Sequence, residues 1–338
     1  MSPASELPIL LYHLGSPLSK RIIWYLALRG IPYIQCMQPR ILPRPDLARL
    51  GINYRRIPIL SIGRDVYLDT RLILQKLEHL HPSKPRLAAL ATPEHRAIEH
   101  LLEVLAIDSG LFKSVVQLMP AHLPQLQDPA FLRDRADLLE GMMVFTPEAL
   151  TAARPNAINE VKNVVEFLET TLLADGRDWV LGTHGPSIAD IEAVWLLHWI
   201  SAVPGALPPD QISGVLYPRV FSWIERFQRT VSSAEKLISA PQTVDGEQAM
   251  EIIVTSLFNE TEGLVDENDP VVKQQGLEKG QFVQLWPTDS GSRHKDNGKL
   301  VSMDNKEVVI ETAAGDAVVR VHAPRHGFQV CAFEDGEK

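Results

Sequence analysis

The first 82 residues alternate between short apolar runs and stretches with helical periodicity. Ile9 to Leu14 is an apolar run with the length of a buried strand. Gly15 breaks it, and Ser16-Pro17 has the form of a helix start. A serine oxygen can accept from the free amides of a first turn, and a proline at the next position lacks only an N–H that would have no partner there. Leu18, Ile22, Ile23, Leu26 and Ala27 then recur at helical spacing, and Gly30-Ile31-Pro32 closes the helix. Tyr33 to Met37 predicts a second strand, and the loop Pro39 to Pro45 leads into a short helical piece over Asp46 to Leu50. Arg56 to Ile62 predicts a strand with proline near its start, where the missing N–H marks an edge, a bulge or a special turn. Gly63-Arg64-Asp65 is a hairpin-type turn, Val66 to Leu68 the returning strand, and Asp69-Thr70 caps a helix running to about Leu80. The order is β-α-β-α-β-β-α.

Residues 83–93 form a proline-containing linker, and helical periodicity dominates beyond it. Glu94 to Met119, Ala130 to Gly141, Asn156 to Leu173, Ala193 to Ile200 and Tyr217 to Thr230 predict an all-α region. The less regular segment 142–155 has the composition of a pocket lining. Ser187-x-x-Asp190 before an apolar run is a capping-box variant, which assigns both residues to folding. After Pro241 the pattern changes to short β-like runs: Glu251–Phe258, Phe282–Trp286, Lys299–Met303, Glu307–Glu311, Ala317–His322 and Phe328–Phe333. Turn signals such as Asp296-Asn297-Gly298 and Gly315-Asp316 separate several of them, which predicts a small antiparallel barrel or sandwich. Three domains are therefore expected: 1–82, 83–244 and 245–338.

With 338 residues, 22% charged and 45% hydrophobic, the chain has the composition of an ordinary globular protein with real cores. No run approaches about 18 uninterrupted apolar residues, and no basic segment precedes an apolar stretch at the N-terminus, so neither a membrane span nor a secretory signal is expected. Cys36 and Cys331 lie far apart and form neither a disulfide framework nor a zinc-ligand spacing; no metal site is expected, and a reducing, cytoplasmic setting is. The net charge of −9 divides unevenly: +6 over residues 1–82, −6 over 83–244 and −9 over 245–338. A basic N-terminal module suits a small anionic ligand, whereas the acidic remainder argues against a nucleic-acid partner.

The N-terminal order, with these residues at these places, resembles the thioredoxin-like domain of glutathione transferases. Ser16-Pro17-Leu18-Ser19 followed by Lys20-Arg21 resembles the Cys-Pro-x-x-x-Arg segment of omega-class members, with serine replacing cysteine, and the serine-led equivalent of zeta-class members. Ile57-Pro58 resembles the family's Val-Pro, in which the proline is cis and the preceding residue pairs its backbone with glutathione. Asp69-Thr70 resembles the Glu-Ser pair that holds the γ-glutamyl end, and Arg44-Pro45-Asp46 resembles a Lys-Pro-Glu segment whose lysine meets the glycine carboxylate. The resemblance covers about 240 residues and implies a thioredoxin-like domain followed by a transferase-type helical domain. The β segment after residue 244 resembles the extension of a fungal subgroup that carries the same Tyr54–Pro58 stretch.

The resemblance implies glutathione as co-substrate, a small electrophile as second partner and a homodimer. A thiol with an ordinary pKa near 8.5 needs a stabilised thiolate, and a hydroxyl at a helix N-terminus supplies a hydrogen bond and a favourable dipole. Ser16 is thus the expected catalytic residue, with Tyr12 and Ser19 as second choices; Ser16, Arg44, Ile57, Pro58, Asp69 and Thr70 are the expected glutathione contacts. Arg55 and Arg56 are placed either at the pocket frame or at a subunit contact, and Asp108, Glu103 and the aromatics of the helical domain near the second substrate. Serine cannot form the mixed disulfide of thiol–disulfide exchange, so the expected chemistry is conjugation, or glutathione-assisted isomerisation or elimination, on a small electrophile such as a fungal secondary metabolite. The alternatives are a non-catalytic interaction or regulatory protein on the same fold, and a glutathione-independent isomerase or dehydratase using the same pocket.

Overall fold

Every residue of the first strand, β1 (Ile9–His13), is buried, and the strand is covered on both faces. In this computed structural model, which describes residues 7–80, 84–88 and 92–333, β1 sits inside a mixed sheet. It runs parallel to β2 (Ile34–Met37) and antiparallel to β3 (Ile59–Ile62), which turns into β4 (Asp65–Tyr67). Helices α1 (Pro17–Leu28), α2 (Pro45–Ala48) and α3 (Thr70–His79) complete the β-α-β-α-β-β-α order read from the pattern. Successive side chains of a strand face opposite sides, so Ile9 and Leu11 join one core while Leu10 and Tyr12 join another. The boundary expected at 82/83 lies outside the described residues.

The helical region contains α4 (Pro93–Ile107), α5 (Leu111–Gln117), α6 (Pro129–Leu138), α7 (Pro147–Thr170), α8 (Ile188–Ser201) and α9 (Pro218–Glu235). The continuous periodicity over Glu94–Met119 is divided in the structure. Asp108 ends α4, and Gly110, at φ 86°, turns the chain before α5. The capping box of α8 forms as expected: the Asp190 carboxylate accepts the Ser187 N–H at 2.9 Å and its hydroxyl at 2.8 Å. Asp190 also accepts from Val180 N at 2.9 Å and Trp223 Nε1 at 3.0 Å, so this carboxylate ties three segments of the helical core.

The C-terminal region departs most from expectation. The β-branched run after Glu251 predicted a strand, yet α10 (Gly246–Thr255) occupies it. Asp245 accepts from the amides of Glu247 and Gln248 at 3.0 and 2.9 Å, and the Gln248 side chain accepts the Asp245 N–H at 3.3 Å. That reciprocal box starts a helix and overrides the strand preference of the residues that follow. A short α11 (Pro270–Gln275) precedes the strands β6 (Phe282–Pro287), β7 (Asp296–Met303), β8 (Glu307–Ala314), β9 (Ala317–Pro324) and β10 (Phe328–Ala332).

These strands are antiparallel among themselves, as expected, but they do not close into a separate barrel. β9 lies parallel to β4, with Val66 opposite Val321 and Tyr67 opposite His322. At the far edge β5 (Gln242–Val244) lies parallel to β2. One sheet of ten strands results among the described residues, in the order β10-β6-β7-β8-β9-β4-β3-β1-β2-β5. The strands of 245–338 thereby cover the edge that β4 would otherwise expose. The second core is joint property: Leu10, Tyr12 and Val66 pack with Leu300, Ile310 and Val319.

Candidate functional site

Ser16 caps α1, as its sequence context predicts. Its Oγ accepts the Ser19 N–H at 3.2 Å and lies 2.9 Å from the Ser19 hydroxyl, which is fully buried. Ser16 itself is half-buried. The turn before it is fixed from the strand: His13 Nδ1 accepts the Gly15 N–H at 3.1 Å, while His13 Nε2 meets Gln35 Oε1 at 3.0 Å. Accepting at Nδ1 requires the neutral ring protonated on Nε2, and burial holds the His13 pKa below its ordinary value. Gln35 in turn donates to the Thr243 hydroxyl at 2.9 Å, so β5 is linked by side chains to the Ser16 turn.

The Ile57–Pro58 peptide is cis, immediately before β3. Asp69 caps α3 and, at φ 64° and ψ 134°, is the one non-glycine residue at positive φ among the described residues. Such a conformation costs on the order of 1–3 kcal/mol and persists where surrounding contacts impose it. Here those contacts are visible. Asp69 Oδ1 accepts Arg71 N–H at 2.9 Å and faces Arg71 Nε at 3.4 Å, while Oδ2 lies 3.9 Å from the Arg56 guanidinium. Burial alone would raise the Asp69 pKa; Arg71 and Arg56 outweigh it and hold the carboxyl below its usual range. The Thr70 hydroxyl accepts from Arg21, whose guanidinium also pairs with Glu192 of α8 and lies over the Trp195 ring at 5.7 Å.

A cavity of about 100 Å³ opens beside these residues. Arg56, Asp69 and Thr70 supply its polar lining, beside Ile57 and Pro58. Leu18, Ile107, Phe112, Met142 and Trp195 form its apolar side, with Lys113 among the lining residues. Four residues expected from sequence to contact one ligand, Ile57, Pro58, Asp69 and Thr70, are therefore gathered at one cavity. Met142 lies in the segment expected to line a pocket.

Other expected site residues lie elsewhere. Neither Ser16 nor Arg44 is among the lining residues; the Arg44 guanidinium donates to the carbonyls of Arg55 and, at 3.3 Å, Pro39, bracing the loop before α2. Burial first, then the nearby Arg55 and Arg135, bring the Arg44 pKa down to about 10. Tyr12 is fully buried in the second core, and its hydroxyl has no hydrogen-bond partner among the described residues. Burial, reinforced by Cys36 and Asp46, pushes its phenol far up. Such a hydroxyl is closed to solvent and unsuited to activating a thiol. Of the two arginines left open, Arg55 is a structural residue paired with Asp134 and Asp137 of α6, both at 2.9 Å, and Arg56 belongs to the cavity. Asp108 makes a two-oxygen contact with Arg71, 3.1 Å to each, and so acts behind Asp69. Glu103 is absent from the cavity lining, and its carboxyl is pushed up by burial and by Glu192.

Nothing in the local pattern singles out Asp289 and Ser290, which come from the loop between β6 and β7 and complete the cavity wall. Arg56 Nε donates to the Ser290 carbonyl at 2.8 Å, and its Nη2 pairs with Asp289. The start of β7 braces the same region: Asp296, fully buried, accepts the N–H groups of Asn53 and Tyr54 at 2.6 and 3.0 Å. No local signal ties a loop near residue 290 to the segment before β3; the pairing of β9 with β4 and the contacts of Asp289, Ser290 and Asp296 bring the two together.

Comparison with known proteins agrees with the fold. Residues 10–85 match the family model described as the glutathione S-transferase N-terminal domain, and residues 114–236 match a domain of unknown function, DUF7962. A solved glutathione S-transferase-like protein from Pseudomonas syringae aligns over 96% of this chain and 99% of its own, at 24% identity and a TM-score of 0.68. Rice GST1, solved in complex with glutathione, aligns over 74% of this chain and 96% of its own, at 18% identity and a TM-score of 0.50. The β-etherase LigF from Sphingobium aligns over 68% of this chain and 99% of its own, at 18% identity and a TM-score of 0.52. No curated protein matches the chain.

Proposed function

We propose that this chain, a glutathione S-transferase-like protein in fold, binds glutathione in the cavity beside Pro58 and activates its thiol at Ser16. The fold is one shared by transferases and related glutathione-dependent enzymes, and the rice neighbour is solved with glutathione. The observation that carries the reading is the gathering of cis-Pro58, Asp69 and Thr70 at one cavity whose first apolar wall residue, Leu18, belongs to the helix that Ser16 caps.

The Ser16–Ser19 pair suits thiol activation. When Ser19 directs both its N–H and its hydroxyl proton at Ser16 Oγ, the two acceptor positions of that oxygen are filled and its own O–H is left to donate. A hydrogen bond to a charged acceptor contributes about 1.5–3 kcal/mol, equivalent to lowering a thiol pKa by about one to two units. The N-terminus of α1 adds a smaller favourable field. In the reaction the glutathione thiol loses its proton to solvent. The Ser16 O–H then donates to the sulfur anion, which forms a bond to an electrophilic carbon of a small substrate. In conjugation the substrate's leaving group departs or its activated double bond takes the electron pair. In assisted isomerisation or elimination the carbon–sulfur bond breaks again. Without a sulfur at position 16, no mixed disulfide forms there. The apolar side built from Ile107, Phe112, Met142 and Trp195 suits a hydrophobic second substrate.

The direct test is calorimetric titration of glutathione into wild type, Ser16→Ala and Asp69→Ala. The expected result is millimolar or tighter binding to wild type, weakened by Asp69→Ala. Ser16→Ala should still bind but lose turnover of a model electrophile. No heat from wild type at millimolar glutathione would remove the reading.

A further inference from the structure

A second cluster lies at the junction of β4 and β9, away from the cavity described above. Glu260, from the loop after α10, Glu307, which opens β8, and His322 of β9 each offer a ligand atom, and these atoms lie within 4.8 Å of one another. His322 is almost fully buried, and each of its two ring nitrogens faces a carboxylate. Nε2 meets Oδ1 of Asp65 at 2.8 Å, and Asp65 is itself fully buried and anchored by the N–H groups of Asn259 and Glu260 at 2.6 and 2.9 Å. Nδ1 is thereby aimed at Glu307, 2.5 Å away. A histidine whose far nitrogen is fixed by a carboxylate, with its near nitrogen facing further carboxylates, is the usual outer arrangement of a metal-ligating histidine. A separate cavity of about 170 Å³ adjoins the cluster, and Glu260, Glu307 and His322 all line it, leaving room for water or a further ligand.

The cluster already attracts a cation. Lys76 of α3 places its ammonium 2.7 Å from Glu260 and 2.7 Å from Glu307, so one positive group bridges both carboxylates. Asp65, Glu260 and Glu307 carry three formal negative charges, against Lys76 as the cation in contact with the carboxylates; Arg320, which also lines the cavity, is paired with Glu262 and Glu311. Lysine is a flexible point charge that can swing away, whereas the three ligands are fixed by separate elements.

We propose that Glu260, Glu307 and His322 bind one divalent transition ion, Zn2+ being the first choice. Asp65 orients His322, and the Lys76 ammonium is the cation that the ion displaces. One imidazole nitrogen and two carboxylates are a donor set suited to Zn2+, and three protein ligands leave a position open towards the cavity. In sequence the three ligands lie 47 and 15 residues apart, a spacing that matches no local zinc motif, so the site arises only when β9 docks on β4.

The test uses the full chain, freed of metal and kept free of thiols, since thiols bind Zn2+ themselves. Zn2+ alone is titrated calorimetrically, and Co2+ is added separately to read the coordination spectrum. Wild type should take up one equivalent. Glu260→Gln, at a partly exposed position that tolerates the change, should weaken binding at least tenfold. Lys76→Gln, which removes the competing cation, should tighten it at least tenfold. His322→Asn should abolish the Co2+ spectrum, with circular dichroism confirming that each variant is folded. Absence of stoichiometric uptake by both wild type and Lys76→Gln would overturn the proposal and leave the cluster as an ion-pair network. Unchanged affinity in Glu260→Gln would overturn the assignment as well.

Discussion

Arg21 of α1 and Glu192 of α8 form an ion pair with no more than 1% of either side chain exposed, and the same guanidinium reaches the Thr70 hydroxyl at the candidate site. The pair joins the thioredoxin-like and helical regions directly behind the cavity. Removing one partner leaves the other charged and buried, which typically costs about 3–5 kcal/mol. Arg21→Met and Glu192→Leu should each lose that much in urea-induced unfolding. The double variant should lose less than the sum, because no uncompensated charge remains. Strictly additive losses would show that the two side chains are not energetically coupled.

Ser16 has two roles that can be separated. Ser16→Ala removes the cap of α1 at a cost of about 1 kcal/mol and removes the proposed hydrogen bond to sulfur. Ser19→Ala keeps the backbone N–H that Ser16 caps but removes the hydroxyl that orients it. The pKa of bound glutathione, followed through the ultraviolet absorption of its thiolate, should therefore rise by about one to two units in Ser16→Ala and by less in Ser19→Ala. An unchanged thiol pKa in Ser16→Ala would confine that residue to capping.

Stability should depend on pH through two buried groups of opposite sign. Burial pushes the Asp296 carboxyl up to about 7 despite the two amides it accepts. Between about pH 4 and pH 7 the folded chain keeps a proton that the unfolded chain has lost. Stability is therefore fully present at the acid end of this window and falls as pH rises, by about 1.4 kcal/mol per pH unit. Asp296→Asn keeps an oxygen for the Asn53 and Tyr54 amides and should flatten this limb, making the variant more stable than wild type above pH 7. His13 acts the other way. Its pKa is held below the ordinary value, so its share of stability is lost as pH falls below about 6.5. Thermal unfolding of wild type and Asp296→Asn across pH 4–8 reads both limbs, and parallel profiles for the two chains would contradict the Asp296 assignment.

Deleting residues 245–338 should not yield an autonomous transferase-like remainder. The deletion uncovers the β4 edge at Asp65–Tyr67 and strips more than half of the second core from Val66, Leu68, Tyr54 and Ile57. Tyr54 also loses the ring of Phe328, stacked at a centroid distance of 5.8 Å. A bare strand edge beside an exposed apolar face favours association, so the truncated chain should be recovered as aggregate or bind a hydrophobic dye strongly. A soluble monomer with one cooperative unfolding transition would show that the extension is dispensable for folding.

Much of the N-terminal site was legible because its signals are local. A serine followed by proline caps a helix wherever a strand ends before it, and Asp69 announces the start of α3 in the same way. The Ser187–Asp190 box is a four-residue signal and formed as read. Local reading failed where distant groups decide. At 246–255 a capping box outweighed a β-branched run. Arg44 had the right neighbours in sequence, yet the Arg55 carbonyl claimed its guanidinium. Tyr12 fell on the sheet face that the C-terminal strands seal, so a chemically plausible hydroxyl ended buried, with no partner among the described residues.

The sequence by itself determined the β-α-β-α-β-β-α order, the helix caps, and the hydroxyl at the head of α1, because each depends on side-chain oxygens and backbone amides within four residues of one another. The tertiary structure alone decided that β9 would pair with β4 and that Asp289 and Ser290 would wall the cavity. It likewise decided that Glu260, Glu307 and His322 would meet. Parallel pairing across about 250 residues leaves no mark in the local pattern. It is selected by the joint burial of two apolar faces and by the need to satisfy an open strand edge, and neither exists until the chain has folded.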